Sequence, residues 1–219
     1  MLSERPRPKM RAEIDQPKAT HKREHLLNAA TRCISRLGFR KSTMEEIALE
    51  AGVTRVTVYR EFGNRRALME ALSARRLATF NEGFLTDSPR FESLPAAVEA
   101  YLLASTRAAR ENPITREIVR GSLGYTRTGT LLHTIMRAMW DPLFQSALPR
   151  EELAPSIDID GAVEWIMVTQ HTLSRLVIES GLSEERIRRV VRTYIAPAFA
   201  SAAWPLHADL HNQPAKSVP

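Results

Sequence analysis

The sequence predicts an all-α fold. Ala, Leu, Arg and Glu dominate its 219 residues, aromatic side chains make up 6%, and there are 9 glycines. No run of alternating β-branched residues indicates a strand. Apolar residues instead recur at helical spacing, as at Leu26, Ala30, Cys33, Ile34 and Leu37. With 43% hydrophobic residues, a chain of this length can bury a core as one large domain or two smaller ones.

The first 19 residues mix proline, basic and acidic residues without periodicity, so we expect a flexible basic arm at 1–19. The first helix is predicted to begin at its cap, Thr20, and to stop at Gly38. A T-x-x-E capping box formed by Thr43 and Glu46 predicts the start of the second helix.

Two glycines mark the predicted ends of the second and third helices. Gly52 is expected to end the second helix after barely two turns. Thr54 then caps a third helix with the sequence RVTVYREF, and Gly63 closes it. The fourth helix is predicted from Arg65 to about Phe80.

The remainder of the chain predicts longer helices that prolines and glycines separate. These five helices cover about 94–110, 114–121, 127–147, 160–180 and 183–203. We therefore expect a terminal arm, a helix-turn-helix domain, a larger helical domain and a tail, at 1–19, 20–66, 67–203 and 204–219.

The single cysteine, Cys33, rules out an intramolecular disulfide and a zinc site built from cysteines, and it suits a reducing cytosol. No apolar stretch approaches the roughly 18 residues that a membrane-spanning helix needs. The N-terminal residues lack the apolar segment of a signal peptide. We therefore expect a cytoplasmic protein without membrane contact.

Positive charge is concentrated in the first third of the chain. Residues 1–80 hold 17 Lys and Arg against 9 Asp and Glu, a net charge of +8, whereas the remainder holds 14 against 16, a net charge of −2. A basic segment joined to a near-neutral helical remainder is typical of a module that binds a polyanion. A basic solvated surface without a partner is the alternative that charge alone leaves open.

The two short helices predict a helix-turn-helix. A helix of two turns is not stable alone in water, so its stability must come from packing. The small core that both helices share is supplied by Ile47, Ala48, Ala51, Val58 and Phe62. The opposite face of the second short helix presents Arg55, Val56, Thr57, Tyr59 and Arg60. Such side chains contact phosphates, base edges and thymine methyls in the major groove, although a basic αα-hairpin without DNA binding is the alternative.

Residues 21–80 resemble the N-terminal DNA-binding domain of TetR-type (TetR/AcrR) transcriptional regulators. The resemblance lies in three segments and their spacing: HLLNAATRCISRLGF, TMEEIALEAGVTRVTVYREF and NRRALMEAL. It implies a three-helix DNA-binding domain followed by a larger helical domain that binds an effector and forms a homodimer. It also implies a repressor that a small molecule releases from a near-palindromic operator in double-stranded DNA.

By motif position, the resemblance assigns phosphate contacts to Thr43, Tyr59, Arg60 and Arg65, and base contacts to Arg55, Val56 and Thr57. Three positions depart from the family pattern. Val56 stands where glycine is common, Glu61 where an aromatic residue is frequent, and Arg66 where an acidic residue is common. The operator sequence therefore cannot be carried over from relatives.

The resemblance also implies that the last two long helices form the dimer interface. Trp165, Val168, Thr172 and Leu176 fall on one stripe of the predicted helix 160–180, and apolar residues cover much of the rest of its surface. Such a helix is buried on two sides, against its own subunit and against a partner. A central helix of a monomer is the alternative.

Large side chains in the remaining helices and their connections are candidates for the lining of an effector cavity. They are Tyr101, Tyr125, His133, Met136, Trp140, Phe144 and His171. Each of them is also compatible with an ordinary core. Because the set contains few charges, we expect a hydrophobic or amphipathic effector rather than a phosphorylated one.

No motif indicates an enzyme, a cofactor or a metal site. The chain has no glycine-rich phosphate loop and no G-x-S-x-G or H-E-x-x-H sequence. The i,i+4 pairs His21/His25 and His207/His211 lie near the chain ends, where solvated side chains are the simpler interpretation. The remaining alternative is a helical adaptor or a non-specific DNA-binding protein without effector response. A regulator should prefer one palindrome over bulk DNA by about 10³-fold or more.

Overall fold

The computed structural model describes residues 16–87, 91–121, 129–150, 152–153 and 158–200. Every regular element in these ranges is helical, which confirms the all-α prediction. The chain forms two compact units that divide between Leu72 and Ser73. None of the described helices has the length and hydropathy that a membrane span requires.

The first unit contains three helices and the start of a fourth. Their bounds are Gln16–Leu37 for α1, Met44–Glu50 for α2, Arg55–Phe62 for α3 and Arg65–Asp87 for α4. α1 packs against α2, and α2 packs against α3. The core of the unit includes the fully buried side chains of Leu26, Ile34, Ile47, Val58 and Leu68.

Threonine side chains cap both short helices, as the sequence predicts. The Thr43 hydroxyl oxygen accepts a hydrogen bond from the Glu46 N–H at 3.2 Å, and that of Thr54 accepts from the Thr57 N–H at 3.3 Å. Gly52 has φ = +65° in the turn between the helices, a left-handed conformation that glycine adopts without strain. The caps and the turn together set where α2 ends and α3 begins.

Arg65 ties the connection between α1 and α2 to the start of α4. Its Nε donates to the carbonyl oxygen of Ser42 at 2.9 Å, and its Nη2 donates to that of Phe39. The guanidinium carbon lies 5.2 Å from the centroid of the Phe39 ring. Because Thr43 follows Ser42 directly, Arg65 holds the backbone from which α2 starts.

In its described residues, the second unit contains the rest of α4 and five further α-helices. These are α5 (Leu94–Glu111), α6 (Pro113–Gly121), α7 (Leu131–Ala147), α8 (Ile159–Ser180) and α9 (Glu184–Val190). α5 and α7 both pack against α8. Trp140, Tyr101 and Phe144 are the largest fully buried side chains of this core.

Two helices extend beyond the prediction, α1 at its start and α4 at its end. α1 begins at Gln16 rather than at Thr20, with Pro17 in the first turn, where a missing N–H costs no helical hydrogen bond. α4 continues past Phe80 because Phe84 is buried in the core of the second unit. Tertiary packing, which a local sequence signal does not report, therefore sets the end of α4.

α7 begins at Leu131, later than the predicted start at 127. The Thr130 side chain caps it by accepting a hydrogen bond from the His133 N–H at 3.2 Å. Residues 122–128 lie outside the described part of the chain. A short 3-10 turn, Leu148–Arg150, follows the helix.

The predicted helix 183–203 is α-helical only as far as Val190. A π-helical turn and a 3-10 turn continue the chain, at Val191–Ile195 and Ala196–Phe199. Pro197 has no N–H with which to extend a helical hydrogen-bond ladder, and Ala200 is extended. Residues 201–203 of the prediction lie outside the described ranges.

Arg65→Lys tests whether the Arg65 guanidinium holds the start of α2. The substitution keeps the charge but replaces the planar two-armed donor, so we expect the first unit to lose about 1–3 kcal/mol of stability. Amide hydrogen exchange in α2 and α3 measures this loss locally. Arg60→Lys, the same change at an exposed position of α3, is the control and should stay within about 0.5 kcal/mol of wild type. Equal protection in both variants would contradict the assigned role.

Candidate nucleic-acid interface

α2 and α3 are joined by a turn whose backbone hydrogen bonds are satisfied locally. The Ala51 N–H donates to the Ile47 carbonyl oxygen at 2.9 Å, and the Val53 N–H donates to that of Ala48 at 3.0 Å. Val58 and Phe62 are the buried residues of α3. The helix is thus held by one face, and the opposite face has no part in the core.

The outer face of α3 holds the five residues that the sequence analysis groups together. Arg55, Val56, Tyr59 and Arg60 are exposed, and Thr57 is half-buried. Val56 is 72% exposed, so its methyl groups are accessible to a partner. Guanidinium, phenol, hydroxyl and methyl groups therefore lie together on one short helix.

Arg55 has two neighbours within the first unit. Its Nη1 lies 3.2 Å from Oε1 of Glu45, in the first turn of α2, and its guanidinium carbon lies 5.8 Å from the centroid of the Tyr59 ring. No local sequence signal indicates that Glu45 belongs to this surface. The two residues are ten positions apart, and only the geometry of the turn brings them together.

Thr43 caps α2, and Thr57 contacts the residue that caps α3. Thr43 is exposed, and its hydroxyl hydrogen remains a possible donor after its oxygen has accepted from α2. The Thr57 hydroxyl lies 3.0 Å from that of Thr54. Arg40 and Lys41, which the sequence analysis passed over, are exposed just before Thr43. Their position two and three residues before a capping residue is the signal that would have found them.

Several other basic residues are engaged in ion pairs within the unit. Glu50 of α2 pairs with Arg32 at 2.8 Å and with Arg36 at 3.2 Å, both from α1. These contacts, led by the hydrogen bond from Arg32, lower the pKa of the Glu50 carboxyl below its ordinary value. Arg23 pairs with Glu61 at 3.3 Å. Part of the net positive charge is therefore balanced inside the unit.

Glu61, which departs from the family pattern, has a structural partner. The Arg23 guanidinium that it binds lies 4.5 Å from the centroid of the Phe62 ring. The pair thus joins α1 to the end of α3.

Among the described residues, no group of three His, Cys, Asp or Glu side chains is arranged to hold a metal ion.

The effector candidates in the second unit form an aromatic row. The ring centroids of Tyr101 and Trp140 are 5.3 Å apart, and those of Trp140 and Phe144 are 6.0 Å apart. Met136 is fully buried beside them, with its sulfur 3.1 Å from the Tyr101 hydroxyl. His171 is half-buried, and burial lowers its pKa. Tyr125 lies outside the described residues.

Polar atoms are buried within this aromatic row. The Tyr101 hydroxyl donates toward the side-chain oxygen of Asn81 at 3.1 Å, and burial raises its pKa. Two buried nitrogens have no hydrogen-bond partner among the described residues, Nε1 of Trp140 and Nε2 of His133. The nearest carboxylate oxygen to His133 Nε2 is that of Asp160, at 3.8 Å. Asn81 was not among the sequence candidates, because a lone asparagine in a helix gives no signal of burial.

α8 presents the predicted dimer stripe to solvent. Trp165, Val168 and Leu176 are 48%, 39% and 38% exposed, and Thr172 is also exposed. The opposite side of the same helix is buried, with residues that include Val163, Ile166, Leu173 and Val177. The helix is therefore apolar on two sides, and one of them is uncovered in a single chain.

Known proteins were compared with this chain in sequence and in structure. Residues 26–72 match the sequence model of bacterial regulatory proteins of the tetR family. No curated protein sequence matches the chain.

Solved structures share the fold over most of the chain. A TetR-family transcriptional regulator from Pectobacterium atrosepticum is 19% identical, with 91% of this chain and 98% of that one covered, at a TM-score of 0.58. The repressor QsdR from R. erythropolis is 14% identical, with 83% and 95% covered, at 0.60. AlkX from Dietzia sp., a repressor implicated in n-alkane biodegradation, is 19% identical, with 81% and 94% covered, at 0.56. Residues 26–72 thus match the tetR family in sequence, and the chain shares the fold of these TetR-family structures.

Proposed function

We propose that the protein is a cytoplasmic, homodimeric repressor that binds a near-palindromic operator through α2 and α3 and is released by a small, largely hydrophobic effector. The outer face of α3 is the observation on which the DNA-binding part rests. Its exposed side chains are the types that contact DNA, and its opposite face is buried. The domain division at 20–66 and 67–203, between DNA binding and effector response, is part of the same proposal.

Positions along α3 suggest how the contacts are divided. The N-terminal residues of a recognition helix lie nearest the bases, so Arg55, Val56 and Thr57 are assigned to base contacts. An arginine can bind guanine O6 and N7 with two hydrogen bonds, and the exposed Val56 methyls fit against a thymine methyl.

Phosphate contacts are assigned to residues around this group. They are Thr43, Tyr59, Arg60 and Arg65, to which the structure adds Arg40 and Lys41 as candidates. Arg65 already donates to two backbone carbonyls, but a guanidinium has five N–H donors and can also bind phosphate.

Substitutions on α3 separate the two kinds of contact. Arg60→Ala should weaken binding to every duplex alike and reduce the slope of log K against log salt by about 1, because one phosphate contact is lost. Arg55→Ala or Thr57→Ala should instead change which base pair is preferred, at about 1–3 kcal/mol for a lost base contact. Fluorescence anisotropy on an operator and its single-base variants measures both. Arg189→Ala, an equal charge change at a side chain of the second unit that is 73% exposed, is the control.

Selective loss at one base pair in Arg60→Ala would contradict the phosphate assignment, and uniform weakening in Arg55→Ala would contradict base contact. If neither the wild type nor any variant prefers one duplex over another, the non-specific DNA-binding alternative is correct.

The exposed stripe of α8 supports the homodimer. A tryptophan beside aliphatic side chains is the composition found at the centre of stable interfaces. A two-fold dimer also places two copies of α3 on the two half-sites of a palindrome.

Trp165→Glu should therefore give a monomer with much weaker operator binding, since a carboxylate would be buried without a partner. Sedimentation velocity and operator titration measure the two effects. Leu131→Glu, the same kind of change at a 50% exposed residue of α7, should leave the mass of the dimer unchanged. A dimeric Trp165→Glu variant would place the interface elsewhere.

The aromatic row supports the effector part of the proposal. Its side chains are largely apolar, yet the N–H of Trp140 is buried without an acceptor among the described residues. Such a donor costs about 1–3 kcal/mol, which a ligand recovers when it brings an acceptor oxygen. We assign the effector to the class of apolar molecules that carry a hydrogen-bond acceptor. The residues assigned to its site are Tyr101, His133, Met136, Trp140, Phe144 and His171, together with Tyr125, which the sequence alone suggests.

Trp140→Phe removes this donor and keeps an aromatic ring. In operator-release assays, methyl octanoate and 1-octanol should act at lower concentration than n-octane on the wild type. The substitution should reduce the ratio of the effective concentration of n-octane to that of either oxygen-containing probe by about tenfold, which corresponds to about 1.4 kcal/mol. An unchanged difference in Trp140→Phe, or no release by any of the three probes, would contradict the assignment.

A further inference from the structure

We propose that Glu45 is a positioning residue for DNA specificity, which holds the Arg55 guanidinium in the orientation that contacts a base. This inference rests on the proposed function, because it concerns how the α3 surface discriminates among operators. Nothing in the family resemblance assigns a role to Glu45.

The Arg55 guanidinium has a defined partner on each of two helices. Glu45 is the second residue of α2, and Arg55 is the first residue of α3; their side chains meet at 3.2 Å across the turn. Tyr59, one turn further along α3, places its ring 5.8 Å from the guanidinium carbon. The guanidinium at the end of the helix nearest the bases is therefore restrained by a carboxylate of α2 and by a ring of its own helix.

The stability of the fold does not explain this ion pair. The Arg55 and Glu45 side chains are 65% and 50% exposed, and exposed pairs contribute little to stability. Orientation is a better explanation. An arginine side chain loses rotamer entropy when it becomes fixed on a base. A side chain that is already restrained in the free protein loses less of it on binding.

The sign of the charge supports the same conclusion. A carboxylate on a DNA-binding surface repels phosphates, so Glu45 lowers affinity for any duplex. Glu45 also competes with phosphates for Arg55. The guanidinium should then prefer a partner that offers two acceptors in the guanidinium plane, as a guanine edge does. Glu45 should therefore reduce general affinity while increasing discrimination.

Glu50 offers a matched comparison on the same helix. It also pairs with arginines, at 2.8 Å and 3.2 Å, but these are Arg32 and Arg36 of α1 rather than a residue of α3. Glu45→Gln and Glu50→Gln remove the same charge from the same seven-residue helix. Only the first of them releases Arg55.

The experiment is a double-mutant cycle on the full-length protein. Wild type, Glu45→Gln, Arg55→Ala and the double variant are titrated with the selected operator, with its single-base variants and with a random duplex, at two salt concentrations. Glu45→Gln should bind the random duplex several-fold more tightly and lose about five- to tenfold of its discrimination at the base pair that Arg55 contacts. In the Arg55→Ala background, Glu45→Gln should leave discrimination unchanged. Glu50→Gln should leave discrimination unchanged in either background.

Four results would overturn the inference. Equal effects of Glu45→Gln and Glu50→Gln on all duplexes would mean that Glu45 acts through its charge alone. A loss of discrimination that persists in the Arg55→Ala background would mean that Glu45 contacts a base itself, as a carboxylate can with cytosine N4. A wild-type protein that shows no base preference would overturn the proposed function and this role together. Base preference in the wild type, with the same discrimination in Glu45→Gln, would overturn only the role of Glu45.

Discussion

The packing of α2 and α3 within the first unit is the constraint on which the DNA-binding surface depends. With seven and eight residues, neither helix has enough internal hydrogen bonds to be stable alone. Buried contacts from Ile47 and Val58, together with threonine caps, supply the missing stability. Because the buried face of α3 supplies this stability, the residues on its other face can vary without loss of the fold.

Basic residues in the first unit have two different tasks. Arg23, Arg32 and Arg36 pair with glutamates and join α1 to the two short helices, and Arg65 holds the loop before α2. Residues such as Arg60 are instead exposed on the outer face of α3. The net charge of the segment therefore overstates the charge that faces DNA, and the arrangement of the ion pairs, rather than the total, defines the binding surface.

Local signals predicted some parts of this structure and could not predict others. α2 and α3 follow the prediction closely because side-chain caps and glycines define their ends within a few residues. The end of α4 depends on the burial of Phe84 against distant side chains, and the contact between Glu45 and Arg55 depends on the angle of a turn. The burial of Asn81, and of a Trp140 N–H that has no acceptor among the described residues, becomes evident only when the helices of the second unit are packed together.

Selection from a random-sequence duplex library, at a low and a moderate salt concentration, tests the central claim most directly. The purified protein is mixed with the library, and the retained duplexes are sequenced. Recovery of one near-palindrome at both concentrations is the result that a dimer with base-contacting α3 helices predicts. Recovery of no preferred sequence, with binding lost at the higher salt concentration, would contradict it and leave only electrostatic attachment to DNA.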